Sequence, residues 1–307
     1  MSAPARAGDP RDLTGTGLDP AWVDELVERT LAEDLTGGAP LAHDPDVAVG
    51  HDVTSAATVP ATLRGTADLV ARADGVLAGL PVAARFFTRL APSARLVAGA
   101  ADGDRVSRGD VLLTVTGPVR ALLAAERSAL NTASRASGIA TATRAWVDVV
   151  AGTGAVVLDT RKTTPGLRPL EKYAVRCGGG SNKRMGLYDV AMVKDNHVAA
   201  AGSVAEAVRL VRERAPRVPV QVECDTVDQV GEAVAAGADF LLLDNMTPAA
   251  LRASVALVAG RARVEATGGL TLAVAREVAG TGVDYLSVGA LTHSSPALDL
   301  ALDLRAG

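Results

Sequence analysis

The chain has 307 residues, 48% of them apolar, enough to bury a large core as one big domain or two unequal ones. Its net charge is −4 and aromatics make up 3%, with basic residues not interleaved with Phe or Tyr, which excludes a nucleic-acid surface and points to a small-molecule partner. Only Cys177 and Cys224 are present, outside any C-x-x-C pair, so neither a disulfide framework nor a zinc knuckle is expected and a reducing cytoplasm fits best; no apolar run approaches the roughly 20 residues of a membrane span, and no apolar secretory segment follows the first charges.

Residues 1–17, rich in Gly, Pro, Asp and Ala without periodicity, are expected to form a disordered leader. Asp19 reads as a helix N-cap, with Pro20 at the first position and Trp22, Leu26 and Leu31 facing inward. Residues 35–52 read as a polar loop. Short apolar runs and Gly/Asp turns then predict a small mixed sheet, with strands at Thr66–Arg72, Gly75–Leu80, Arg95–Ala98 and Val111–Thr116 and a helix near Val82–Leu90. The run from Asp102 to Leu113 is similar to the turn-strand pattern of lipoyl and biotinyl carrier domains, but this half of the chain has no lysine to modify. From Ala121 to Val150 the period is helical. The face carrying Leu123, Leu130, Ala133, Ala140 and Val147 is mostly small, so another element can approach closely, and Glu126, Arg127 and Asn131 cluster near its start.

Beyond this helix the pattern alternates strand and helix, which predicts a parallel sheet or barrel. Six short apolar strands run over Ala155–Arg161, Val190–Lys194, Val218–Glu223, Phe240–Asp244, Val264–Gly269 and Tyr285–Gly289. Helical patterns separate the later ones, and the spacing is that of βα units. In such barrels reactive groups collect at the carboxyl ends of the strands, so these termini would converge on one mouth. Any one polar strand end is equally well read as a helix cap or a solvated pair; the whole set is not. Thr267-Gly268-Gly269 and Ser287-Val288-Gly289 would let backbone N–H groups approach a phosphate, though Gly for tight turns alone is an alternative.

All four lysines, Lys162, Lys172, Lys183 and Lys194, fall in one window of a chain that otherwise uses arginine for positive charge, which reads as an anion site inside an acidic protein. Arg161, Lys162, Lys183, Arg184 and Lys194 supply more charge than one monophosphate needs. Glu223 and Asp244 suit ribose hydroxyls or Mg²⁺, which prefers carboxylates plus substrate oxygens. The inferred substrates are a sugar diphosphate and an acidic acceptor. No P-loop, dinucleotide fingerprint or H-E-x-x-H is present, and His43, His51, His197 and His293 read as structural or solvent-facing.

Glu126-Arg-Ser-Ala-Leu-Asn131, Ser137-Gly-Ile-Ala-Thr141, Asp159-Thr-Arg-Lys-Thr-Thr-Pro-Gly166, Cys177-Gly-Gly-Gly180, Lys194-Asp-Asn-His197, Val222-Glu223, Leu243-Asp-Asn245 and Gly268-Gly269 together resemble the quinolinate phosphoribosyltransferase family, in the right order over about residues 20–300. The resemblance implies an α/β fold of the type II phosphoribosyltransferase kind: an N-terminal α/β sandwich domain over 18–118, an open, incomplete parallel α/β barrel over 119–290, and a tail over 291–307 packing back on the N-terminal domain. It implies that Thr160, Arg161, Lys183, Arg184 and Lys194 bind quinolinate, with Arg127 supplied across a dimer interface in a homodimer or an assembly of dimers. Lys162, Glu223 and Asp244 would be catalytic and hold phosphoribosyl pyrophosphate with its Mg²⁺, and Thr267, Gly268, Gly269, Ser287, Gly289 and Ala290 would surround the 5′-phosphate. The product would be nicotinate mononucleotide for NAD synthesis. One position departs: the family pattern after the triple glycine usually reads Asn-His-Arg, and this chain has Asn182-Lys183-Arg184. Two other readings remain open, a Schiff-base barrel aldolase using Lys162 or Lys194, and a non-catalytic homologue that binds an anionic metabolite or serves metal uptake.

Overall fold

The computed structural model describes residues 9–306. Residues 1–8 of the expected leader lie outside the described residues. Its remainder is not disordered: Asp9 accepts hydrogen bonds from the Arg11 backbone and guanidinium at 2.9 and 2.7 Å, and Leu13 and Thr16 are buried. A local Asp–Arg turn and one apolar side chain suffice to anchor a segment that composition alone reads as loose.

The chain runs through α1 (Pro20–Thr36), α2 (Pro45–Val49), α3 (Val53–Thr58), β1 (Arg64–Ala71), β2 (Gly75–Val76), α4 (Leu80–Leu90), β3 (Arg95–Ala98), β4 (Arg105–Val106) and β5 (Val111–Pro118) to the long helix α5 (Val119–Val150). Then come β6 (Val156–Leu158), α6 (Arg168–Cys177), β7 (Ala191–Val193), α7 (Asp195–Ala201), α8 (Val204–Arg214), β8 (Val220–Cys224), α9 (Val227–Ala235) and β9 (Phe240–Asp244). The last elements are α10 (Pro248–Val258), β10 (Arg263–Thr267), α11 (Leu272–Ala279), β11 (Tyr285–Ser287), α12 (Ala290–His293) and β12 (Leu300–Ala306).

Contacts divide the chain into two units, the first comprising residues up to Ala142, Pro169–Gly178 and the segment from Ser295, the second comprising Thr143–Arg168 and Gly179–Ser294. Most of α5 therefore groups with the first unit, whereas the sequence reading began the barrel at 119. Side-chain chemistry on α5 explains this. Ser137 Oγ and Thr141 Oγ1 accept the amides of Ala78 and Val76 at 3.0 and 2.9 Å. A Cβ on Gly138 would lie 2.1 Å from the Pro296 carbonyl oxygen, so only glycine lets the C-terminal segment pass this closely.

In the first unit an antiparallel sheet runs β12-β1-β5-β3, with β12 paired to β1 from Gly65↔Ala306 to Ala71↔Leu300. Helix α4 buries Phe86, Phe87 and Leu90, and α1, which buries Val23, Leu26, Val27 and Leu31, packs on α4 with Asp24 and Glu28 paired to Arg85 and Arg89. Trp22, expected inward, is half-buried. The expected loop over 35–52 is corrected, because α1 continues to Thr36 and Asp44 caps α2 with Pro45 at its first position. The strand expected over Gly75–Leu80 shrinks to two residues, since the following chain turns into α4.

In the second unit six strands form one all-parallel sheet in the order β6-β11-β10-β9-β8-β7. Strands β6 and β7 do not pair with each other, so the barrel is open. A bridge beside β6 joins Leu158 to Ser181, the Ser181 amide donating to the Val157 carbonyl at 2.8 Å. Ser203, Thr226 and Thr247 cap α8, α9 and α10 by accepting the amide three residues on. Among the described residues no helix is long and apolar enough to cross a membrane.

Candidate active site

Within the second unit a cavity of about 440 Å³ opens at the carboxyl ends of the parallel strands. The loop after β6 brings Thr160, Arg161 and Lys162 to its wall. That loop is tied down by Asp159, fully buried, which accepts from Asn182 Nδ2 at 2.6 Å and from the Lys183 amide at 2.9 Å, so the two cation-bearing loops are fixed to one carboxylate. Lys162 is held at both backbone ends: its amide donates to Thr160 Oγ1 at 3.0 Å and its carbonyl accepts from Thr292 Oγ1 at 2.7 Å. Lys194 follows β7, and its ammonium donates to Glu223 Oε2 at 2.5 Å. Its amide donates to His197 Nδ1 at 2.9 Å, which starts α7 in the manner of a capping box.

Glu223 of β8 and Asp244 of β9 line the same cavity. Asn245 turns left-handed at φ 54°, a conformation that Asn tolerates, and donates its amide to the Thr267 carbonyl at 3.0 Å. Thr267, Gly268 and Gly269 after β10, and Ser287, Gly289 and Ala290 after β11, complete the wall. Every predicted site residue except Arg127 lines this one cavity. Arg127 is exposed on α5 in the first unit.

The cavity is built with polar capacity that the protein itself does not consume. Arg161 Nε and Ser287 Oγ are buried without a hydrogen-bond partner, an arrangement that costs about 1–3 kcal/mol per group unless a ligand supplies the missing bond. Burial and the Arg161 guanidinium both lower the proton affinity of Arg184, which remains a cation. Burial also pushes Lys183 down, opposed by Glu265. Asp244 is pushed up, first by burial and then by the charges of Glu223 and Asp225.

A carboxyl whose folded-state proton affinity is raised favours the fold when protonated, so its ionisation is a penalty fully present at neutral pH and absent below the ordinary carboxylate range. Asp244→Asn is expected to raise the unfolding temperature at pH 7, with the gain gone at about pH 3, where the carboxyl is protonated in either state. Thermal unfolding at the two pH values reads this directly; a variant less stable than the parent at pH 7 would contradict it.

Two features of the site lay outside the sequence reading. His293, read as structural or solvent-facing, lines the cavity, with Nε2 3.2 Å from where a Gly289 Cβ would stand. Lys172, counted with the anion-binding lysines, does not: it is 1% exposed on α6, in the first unit. No helix was expected between Arg168 and Cys177, although Pro169 and Gly178 bracket one, and it is this helix that turns the lysine into a core.

Two family models match the chain, the N-terminal domain of quinolinate phosphoribosyl transferase over residues 52–137 and its C-terminal domain over 139–303. The chain belongs to the quinolinate phosphoribosyltransferase family. Among its relatives, the nicotinate-nucleotide pyrophosphorylase [carboxylating] of Mycobacterium leprae (strain TN) is 48% identical over 264 residues, covering 84% of this chain and 93% of that protein. A probable nicotinate-nucleotide pyrophosphorylase [carboxylating] of Bacillus subtilis (strain 168) is 45% identical, covering 78% and 83%. The crystal structure of NadC from Streptococcus pyogenes superimposes with a TM-score of 0.87 at 38% identity, over 94% of this chain and 99% of that one. As a quinolinate phosphoribosyltransferase family member, the chain has the expected fold class, mixed α/β with an open parallel barrel.

Proposed function

We propose that the protein transfers the phosphoribosyl group of phosphoribosyl pyrophosphate to quinolinate, releasing pyrophosphate and CO₂ and giving nicotinate mononucleotide in NAD biosynthesis. The names of its relatives support this reading. The observation that carries it is the gathering in one cavity of Arg161, Lys183, Arg184 and Lys194 with the paired carboxylates Glu223 and Asp244 and two Gly-bearing strand ends. A non-catalytic anion binder would not need the carboxylates there.

In this reading Thr160, Arg161, Lys183, Arg184 and Lys194 take the two carboxylates of quinolinate, and the orphaned Arg161 Nε gains its missing acceptor. Arg127 joins them from a second copy of the chain. The 5′-phosphate sits against Thr267, Gly268, Gly269, Ser287, Gly289 and Ala290, where the orphaned Ser287 Oγ would donate. Glu223 and Asp244 face the ribose and would hold Mg²⁺ together with diphosphate oxygens. One feature fits that ion: Asp244 is crowded by the charges of Glu223 and Asp225, which a divalent cation would relieve. Two unpaired thiols, Cys177 and Cys224, suit a reducing cytoplasm.

The pyridine nitrogen lone pair forms the bond to ribose C1 while the C1–O bond breaks, its electrons leaving with pyrophosphate. Glu223 and Asp244 stabilise positive charge developing on the ribose, and Lys162 meets negative charge developing on the departing oxygen. Bound Mg²⁺ would supply further neutralisation of the diphosphate. Once ribosylated, the ring nitrogen is cationic; as CO₂ leaves, the electron pair of the C2–carboxylate bond stays in the ring plane on C2, stabilised by the adjacent positive nitrogen, and C2 then takes up a proton with it. No covalent nucleophile is required.

The test is nicotinate mononucleotide formation from phosphoribosyl pyrophosphate and Mg²⁺, run in parallel with quinolinate and with nicotinate and with CO₂ measured. Turnover with quinolinate alone, one CO₂ per product, is expected. Turnover with nicotinate, or with neither acid, would sink the assignment of the acceptor.

A further inference from the structure

The interior of a parallel α/β barrel is ordinarily filled by branched apolar side chains. Two inward residues depart from this. Gln221 of β8 and Glu265 of β10 are each 2% exposed. Gln221 Nε2 donates to Glu265 Oε2 at 2.7 Å, and Lys183 Nζ donates to Glu265 Oε1 at 2.5 Å. Lys183 lines the cavity, and Glu265 stands behind it, bridging the ammonium to a buried amide.

A buried ion pair seldom stabilises a fold more than apolar groups of the same volume would, so its position offers the better account of its presence. The charges facing Lys183 are Glu265 from β10, the neighbouring Arg184, and Lys194 after β7; Asp159 accepts from its backbone amide. Burial, Arg184 and Lys194 all favour loss of the Lys183 proton, and Glu265 opposes them.

We propose that Glu265, itself fixed by Gln221, is a positioning residue that holds the Lys183 ammonium in the cavity wall, so that the Lys183–Glu265 pair selects a doubly charged acceptor over a singly charged one. This rests on the quinolinate reading above. A second carboxylate would satisfy the positioned cation, whereas a monocarboxylate leaves it without that bond.

Glu265→Gln keeps the size of the side chain and a partner for Gln221 while removing the charge. Quinolinate and nicotinate binding to the full chain would be measured by calorimetry at about pH 7 and about pH 9, beside steady-state kinetics. E265Q is expected to bind quinolinate roughly 10- to 100-fold more weakly, with the loss growing toward the higher pH. Nicotinate affinity, kcat and the KM for phosphoribosyl pyrophosphate should stay within about threefold. Glu265→Asp, which keeps the charge on a shorter arm, should recover part of the loss. Unaltered quinolinate binding in E265Q, or an equal loss for both acids, overturns the proposal. Where E265Q does not fold, Lys183→Met combined with Glu265→Leu leaves no buried charge unpaired; loss of the preference for quinolinate in that variant supports the proposal and its retention overturns it. A parent protein that binds neither acid fails the functional reading and this proposal together, whereas a parent that prefers quinolinate while E265Q matches it fails this proposal alone.

Discussion

Lys162→Met is expected to lower kcat/KM by about 10²- to 10³-fold, the scale seen when one preorganised donor to developing negative charge is removed. The loss should fall on kcat, with the KM for quinolinate little changed, because charge on the leaving diphosphate develops only in the transition state. The backbone supports this separation. Lys162 is held through its amide by Thr160 and through its carbonyl by Thr292, so the loop keeps its course when the side chain is altered. The side chain is also exposed, and its replacement should leave the unfolding temperature unchanged. Arginine should rescue poorly, since a planar guanidinium does not reproduce a compact ammonium. Steady-state kinetics at saturating Mg²⁺ decide the matter. A Lys162→Met enzyme with the parent's kcat would remove this residue from the departing diphosphate.

The second large effect is expected from a single methyl group. In Gly268→Ala the new Cβ would stand 2.4 Å from Asp244 Oδ1 and 2.4 Å from Asn245 Oδ1, where real Cβ atoms are essentially never found closer than 3.0 Å. The backbone there also has φ +86°, a left-handed conformation that costs an L-residue roughly 1–2 kcal/mol. To relieve the clash the Asp244 carboxylate and the Asn245 amide must both shift, and Asp244 lines the cavity. A displacement on the order of 1 Å at a reacting centre costs about 10²-fold in rate, so kcat/KM should fall by at least that, with the KM for phosphoribosyl pyrophosphate rising. Gly269→Ala is the matched control. It is left-handed too, at φ +56°, but its Cβ would meet nothing nearer than Asn245 Oδ1 at 3.6 Å. Its effect should stay within about tenfold, since only the strain remains. Equal losses at the two positions would mean that backbone strain, not crowding of Asp244, limits the enzyme.

Much of the architecture was legible from local pattern. The run Phe240–Asp244 is a strand because four apolar residues between turn signals have no helical period, and it ends on the carboxylate that the cavity uses. The same logic places Lys194, Glu223 and Thr267 at or just past strand ends. Parallel strands in one sheet bring such ends to one side whatever the details of packing, so the convergence of Arg161, Lys194, Glu223 and Asp244 follows from topology.

Other assignments needed distances across the chain. Lys172 and Lys183 look alike in the linear window, but one is turned into the first unit by α6 and the other into the cavity. Pro169 in the first turn of Arg168–Cys177, Arg176 in its last turn and Gly178 just beyond are start and stop signals for that helix, but they do not say against which element its buried face packs. His293 carries no motif around it and reaches the cavity because α12 follows the Gly289 turn. Glu265 was visible as one letter inside a strand, yet its partner Lys183 lies 82 residues away. Residue type and period, which act locally, thus determined the strands, most of the helices and the chemical character of this protein. Which lysine meets which carboxylate was decided only by the tertiary structure, because the register of six parallel strands and the course of the loops beyond them set distances that no local preference encodes.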